Sequence, residues 1–175
     1  MTVVILCHMI IFDSSTLILL AKIDLLRSFL DSVELPVAIP LEVERECYGV
    51  KKTLDALVIQ KTVEESRIRV LAVRNHKLVP KLQSDFSLGL GEAEAIALAV
   101  KENACLLGID DKNGINAAKL LGIPFTTAMA ILVRSREKNL LNRDEALAKL
   151  SALAVYGRYA RSIVEDARQR LEARK

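Results

Sequence analysis

Apolar residues along this chain follow two rhythms, short uninterrupted runs and stripes at three-and-four spacing, and the two alternate from one end to the other. Val3 to Phe12 is a continuous β-type run, which predicts a central strand buried on both faces. It ends at Asp13-Ser14-Ser15-Thr16, any of which can cap the helix that Leu17, Leu20, Ile23 and Leu26 begin. Leu25 to Leu30 adds a second apolar helical turn. Val37-Ala38-Ile39 predicts a short strand, and Pro40 suits the first turn of a helix over Leu41 to Tyr48 that Gly49 stops. Lys51 to Glu65 reads as a mobile surface helix and Ile68 to Val73 as a strand. Arg74 to Ser87, polar and broken by Pro80, reads as a loop.

Leu88 to Gly114 is the stretch around which the rest is arranged. A glycine turn leads into a small-residue helix that opens with Glu92 and Glu94, its stripe formed by Ala93, Ile96, Ala97 and Val100. Cys105 to Ile109 then predicts a strand buried on both faces and ending in Asp110-Asp111. Ala117 to Leu121 predicts a helix closed by Gly122, Pro124 to Thr127 a short strand, and Ala128 to Lys138 another helix. Asn142, with Glu145 three residues on, forms a capping box that opens the terminal helices. Strands separated by helices predict a three-layer α/β/α sandwich with a mainly parallel central sheet over residues 1–141. Residues 142–175 are expected to be a C-terminal helical extension packed on the same domain.

Composition narrows the class. With 175 residues, 51% of them hydrophobic, the chain is one domain with a sizeable core and is not disordered. The runs Val3 to Phe12 and Leu17 to Ala21 fall short of the roughly 20 residues a membrane helix needs. There is no basic leader or small-residue cleavage site, so a cytoplasmic protein without a membrane partner is expected. Met9 is a candidate start, which would make Met1 to His8 an upstream extension. Cys7, Cys47 and Cys105 read as small buried thiols in a reducing compartment, and His8 as a core histidine within strand one. With His8 and His76 the only histidines and no cysteine pair at ligand spacing, zinc is not expected. The net charge of +3 resides in the last 19 residues, where Arg158, Arg161, Arg168, Arg170, Arg174 and Lys175 outnumber Glu165, Asp166 and Glu172. Such a tail fits phosphates, and equally fits the solvated face of a terminal helix.

The polar residues that must converge are acids. In a parallel sheet all strands end at one edge, so Asp13, Asp110, Glu46 on the helix after strand two, and Glu92 at its helix start can meet there. Two carboxylates about 4 Å apart repel by roughly 4 kcal/mol at an effective dielectric near 20. A divalent cation removes that repulsion, and oxygen ligands without His or Cys select magnesium or manganese. Each acid also has a plain structural role open to it. Asp13 and Asp110-Asp111 can cap helices, Glu92 and Glu94 suit a helix start, and Glu42 and Glu44 suit a solvated face. Glu92 and Glu94, two residues apart, lie on opposite flanks of their stripe and are not expected to share one ion.

The motifs Phe12-Asp13-Ser14-Ser15, Ile39-Pro40 with Val43 and Glu46, Gly91-Glu92-Ala93-Glu94-Ala95-Ile96-Ala97-Leu98-Ala99 and Leu107-Gly108-Ile109-Asp110-Asp111-Lys112 carry a resemblance. In this order and spacing the chain resembles the PIN-domain family, close to the VapC-type toxins and to a branch of predicted nucleic-acid-binding proteins in archaea and bacteria. Weaker matches follow at Ala118 to Ile123 and at Thr127. The resemblance implies a PIN-like fold and a Mg2+- or Mn2+-dependent ribonuclease with catalytic acids at Asp13, Glu46, Glu92 and Asp110. The same four and Asp111 would hold the metal. Glu94, Ser14, Ser15, Thr127 and Lys112 are secondary site residues. The implied chemistry is attack of metal-activated water on an RNA phosphodiester, leaving 5′-phosphate and 3′-hydroxyl ends. RNA is the implied substrate, an antitoxin protein the implied partner if the chain is the toxin of a toxin–antitoxin pair, and a homodimer the implied assembly, to which apolar residues near Leu17 and Leu26 lend support. Two positions depart from the pattern. Ile115 stands where relatives often carry arginine, and Glu92 stands where the toxins usually carry Asp. The alternative function is a PIN fold that binds RNA or a protein without cutting. A phosphate-receiver domain fits poorly, because strand three ends at Val73-Arg74-Asn75 with no phosphorylatable Asp.

Overall fold

The first strand sets the frame. In the computed structural model, which describes residues 7–50, 52–74 and 77–173, the strands are β1 (Ile10–Phe12), β2 (Val37–Pro40), β3 (Ile68–Leu71), β4 (Leu106–Gly108) and β5 (Phe125–Thr126). They pair in parallel throughout in the order β3-β2-β1-β4-β5, so β1 is central, as its uninterrupted apolar run predicts. Between and after them lie α1 (Ser14–Lys22), α2 (Leu26–Ser32), α3 (Leu41–Tyr48), α4 (Leu54–Glu64), α5 (Leu78–Phe86), α6 (Leu90–Lys101), α7 (Lys112–Leu120), α8 (Ala128–Glu137), α9 (Arg143–Tyr156) and α10 (Arg161–Glu172).

Alternation along β1 divides the helices into two layers. Ile10 and Phe12 face one apolar core, built with α1 to α4 and α8 to α10. Ile11 faces the other, built with α5, α6 and α7. The result is an α/β/α sandwich with an all-parallel sheet. The register sets Phe12 beside Gly108, and a Cβ there would lie 2.1 Å from the Phe12 ring. Glycine at that position is a packing requirement, and it lets β1 and β4 run side by side up to the acids that follow each.

The terminal helices are anchored on this body. Ala146, Leu150, Leu153, Ala167 and Leu171 share the core that contains Leu17 and Leu20. Lys149 Nζ donates to the Ile23 and Asp24 carbonyls at 2.8 and 2.9 Å, satisfying acceptors at the end of α1. The Asn142–Glu145 capping box forms as expected.

Several expectations are corrected. Arg74 to Ser87 contains α5, because Pro80 falls in the helix's first turn, where its missing N–H costs nothing, and Val79 and Leu82 are buried. The helix within Lys51 to Glu65 is packed rather than loose, with Ala56 and Ile59 fully buried. The helix expected from Ala117 starts at Lys112, immediately after its Asp111 cap. β1 is shorter than Val3 to Phe12, and His8 is an exposed residue ahead of it, its ring 3.9 Å from Glu102. Cys7 and Cys105 form a disulfide, while Cys47 is a buried thiol as expected. The pairing follows from topology: Cys105 N–H donates to the Met9 carbonyl at 2.8 Å, so the two strands enter the sheet side by side. Leu17 and Leu26 themselves are buried within the chain's own core. The expected strand residues Val3 to Leu6, together with His76, Arg174 and Lys175, lie outside the described residues. Among those described, no helix is long and apolar enough to cross a membrane.

Candidate active site

Because every strand runs the same way, the residues that follow β1 and β4 emerge at one edge. Asp13 N–H extends the ladder by donating to the Gly108 carbonyl at 2.9 Å. The Asp13 side chain caps α1, accepting from Thr16 N–H at 3.1 Å and from Ser15 Oγ at 2.7 Å. It is wholly shielded from solvent. That burial, reinforced by the charge on Asp110, pushes its pKa from 3.8 up to about 7, against the pull of those hydrogen bonds.

Asp110 is joined to the same turn. Its Oδ2 accepts from Thr16 Oγ1 and from the Ala128 backbone amide, both at 2.8 Å, and its own N–H donates to Ser15 Oγ at 3.3 Å. Its Oδ1 accepts from the Tyr159 hydroxyl. Burial raises the Asp110 pKa, opposed by the Tyr159, Ala128 and Thr16 hydrogen bonds. Thr16, fully buried, thus holds Asp13 through its amide and Asp110 through its hydroxyl.

Glu46 arrives from α3. Ser14 Oγ donates to its Oε2 at 2.5 Å, which places this carboxylate beside the α1 start. Gly91 in α6 makes room for it: a Cβ there would stand 2.5 Å from both Glu46 carboxylate oxygens. Glu92 spends its Oε2 on the Gly89 N–H at 2.9 Å, and its pKa is raised by burial and then by the charges of Asp111 and Glu46. Glu94 turns toward α3, accepting from Glu42 N–H at 3.4 Å, with burial and the Glu42 and Glu46 charges raising its pKa. Glu92 and Glu94 thus accept from different backbone amides, while both feel the Glu46 charge. Asp111 caps α7 through Asn113 and Gly114 N–H, at 2.7 and 3.1 Å. Thr127 caps α8 through Ala130 N–H at 3.2 Å, and Lys112 is exposed at the first position of α7. Ile115 packs partly buried against the second core, as suits an apolar residue in the place of an arginine.

The acids therefore form a row rather than one knot. Asp110 and Asp13 are linked through Thr16, Glu46 joins through Ser14, and Glu92 and Asp111 lie within electrostatic reach. Among the described residues, no three or more His, Cys, Asp or Glu side chains stand close enough to hold one metal ion, so the expected five-acid set does not close as a unit. The donor chemistry still fits a hard cation. Magnesium takes one or two protein carboxylates and completes its shell with water and phosphate oxygens, and the Asp13–Asp110 pair meets that requirement.

Two site residues escape a sequence reading. Thr16 was one of four interchangeable cap candidates, and only its burial singles it out. Tyr159, between α9 and α10, carries no local signal, since its contact with Asp110 spans 49 positions. A family model for the PIN domain matches residues 9–173, which takes in the whole sheet and both terminal helices. No curated protein matches the chain.

Proposed function

The chain belongs to the PIN-domain family, a nuclease-type fold, and from that premise we propose that it is a metal-dependent endoribonuclease acting at the Asp13–Asp110 edge. The observation that carries the reading is Thr16, which ties the buried Asp13 and the partly buried Asp110, each following a different strand, into one unit by its amide and its hydroxyl. Buried like-charged acids held together cost stability, and a cation relieves that cost.

Asp13 and Asp110 are the residues that would hold a magnesium or manganese ion. When bound, such an ion supplies an activated water at neutral pH and offsets charge on the phosphate. The protein's part is positional. The Thr16 and Ala128 N–H groups fix the two carboxylates on the backbone of α1 and α8. Ser14 holds Glu46 toward the same turn, and in this reading its carboxylate would orient water or take up its proton. Glu92 and Asp111 add negative potential that attracts a cation to this edge.

The test is RNA cleavage by the purified full chain with Mn2+ or Mg2+, with EDTA, and with Asp13→Asn. Cleavage that needs the ion and disappears in the variant supports the reading; cleavage indifferent to Asp13→Asn sinks it. The absence of a three-acid cluster among the described residues favours a second reading, an RNA- or protein-binding module that does not cut. RNA retention by the parent without any cleavage would select it. A toxin of a toxin–antitoxin pair and a homodimer are narrower proposals, tested by an adjacent reading frame for a small antitoxin and by solution mass.

A further inference from the structure

The segment between α9 and α10, Gly157 to Ala160, reaches back across the fold to the acidic edge. Its Tyr159 hydroxyl donates to Asp110 Oδ1. That bond uses the single phenolic proton, so Tyr159 acts on Asp110 as a donor. Gly157 allows the ring its place, because a Cβ there would meet the ring at 2.3 Å.

Asp110 offers about four lone-pair sites. Thr16 and Ala128 take two on Oδ2 and Tyr159 takes one on Oδ1. The site that remains for a cation therefore lies on Oδ1, the oxygen Tyr159 orients. We infer that Tyr159 is a positioning residue of the acidic site, delivered by the C-terminal helices, and that the site is incomplete without them. The inference rests on the metal-dependent reading above. Hydrogen-bond partners of ligating carboxylates commonly set metal affinity by one to two orders of magnitude.

The experiment is titration of the metal-free full chain with Mn2+, following heat and the near-ultraviolet absorption of the phenol. Tyr159→Phe is expected to weaken Mn2+ binding about tenfold, and to lower the metal-free melting temperature by no more than the several degrees that one lost hydrogen bond to a carboxylate accounts for. Gly157→Ala, which displaces the ring but keeps the hydroxyl, is expected to give a similar loss. The two together should be no worse than Tyr159→Phe alone. Mn2+ should perturb the phenol band of the parent and not that of Tyr159→Phe. Unchanged or tighter Mn2+ binding by Tyr159→Phe overturns the inference, as does a phenol band blind to the ion. A parent chain that binds no Mn2+ removes the metal reading itself, and this inference with it.

Discussion

Thr16 donates its hydroxyl to Asp110 at 2.8 Å across 94 positions of sequence, tying the first helix to the edge of β4. Replacing it with valine keeps the shape and removes the donor. Asp110 Oδ2 would keep only the Ala128 amide. A hydrogen bond to a charged group is worth about 1.5–3 kcal/mol, so Thr16→Val should lose roughly that in chemical denaturation and lose RNA cleavage as well. Thr16→Ser should retain most of the cleavage.

Asp13 gives a pH dependence with a definite sign. Its folded pKa, about 7, exceeds its ordinary 3.8, so the folded state holds this proton more tightly than the unfolded chain. The stability it contributes is complete below about pH 4 and fades as pH rises toward 7, with a total near 4 kcal/mol. Asp13→Asn caps the helix without the charge. Its melting temperature should exceed the parent's above pH 7, and the difference should close toward pH 4. A parent at least as stable as the variant at pH 8 would contradict this.

Gly91→Ala separates function from stability. The new methyl group would meet the end of the Glu46 side chain, which can swing aside, and alanine favours a helix over glycine by about 1 kcal/mol. The melting temperature should hold or rise, while cleavage falls because Glu46 leaves the Ser14 hydroxyl.

Mn2+ should stabilise the chain by mass action. At about 100 times its dissociation constant an ion adds about 2.7 kcal/mol, or roughly 5–10 °C for a domain of this size. EDTA should reverse the shift in differential scanning calorimetry. Asp13→Asn should show none.

Much of this was legible in the chain before any coordinates. The uninterrupted run through Phe12 marked a central strand, and parallel topology then required Asp13 and Asp110 to share an edge. What escaped depends on distance or on context. Pro80 looked like a breaker because its position within a helical turn is invisible until the turn is known. Cys7 and Cys105 looked like separate buried thiols because the neighbouring strands that unite them lie far apart in sequence. The gathering of five acids was expected from their shared edge, but Asp111 and Glu92 are occupied with the ends of their own helices. Tyr159 was unreadable, since no spacing rule connects a tyrosine after one helix to an aspartate after a strand.

The start of α8 has a consequence for how a nucleic acid would be gripped. Two of its first three backbone amides are engaged by side chains, Ala128 by Asp110 and Ala130 by the Thr127 hydroxyl. A helix beginning is ordinarily a ready cradle for an oxyanion, and this one is largely occupied by the protein's own side chains. A phosphate approaching at this point would lean more on cationic side chains or on a dissolved ion, contacts that weaken as salt rises.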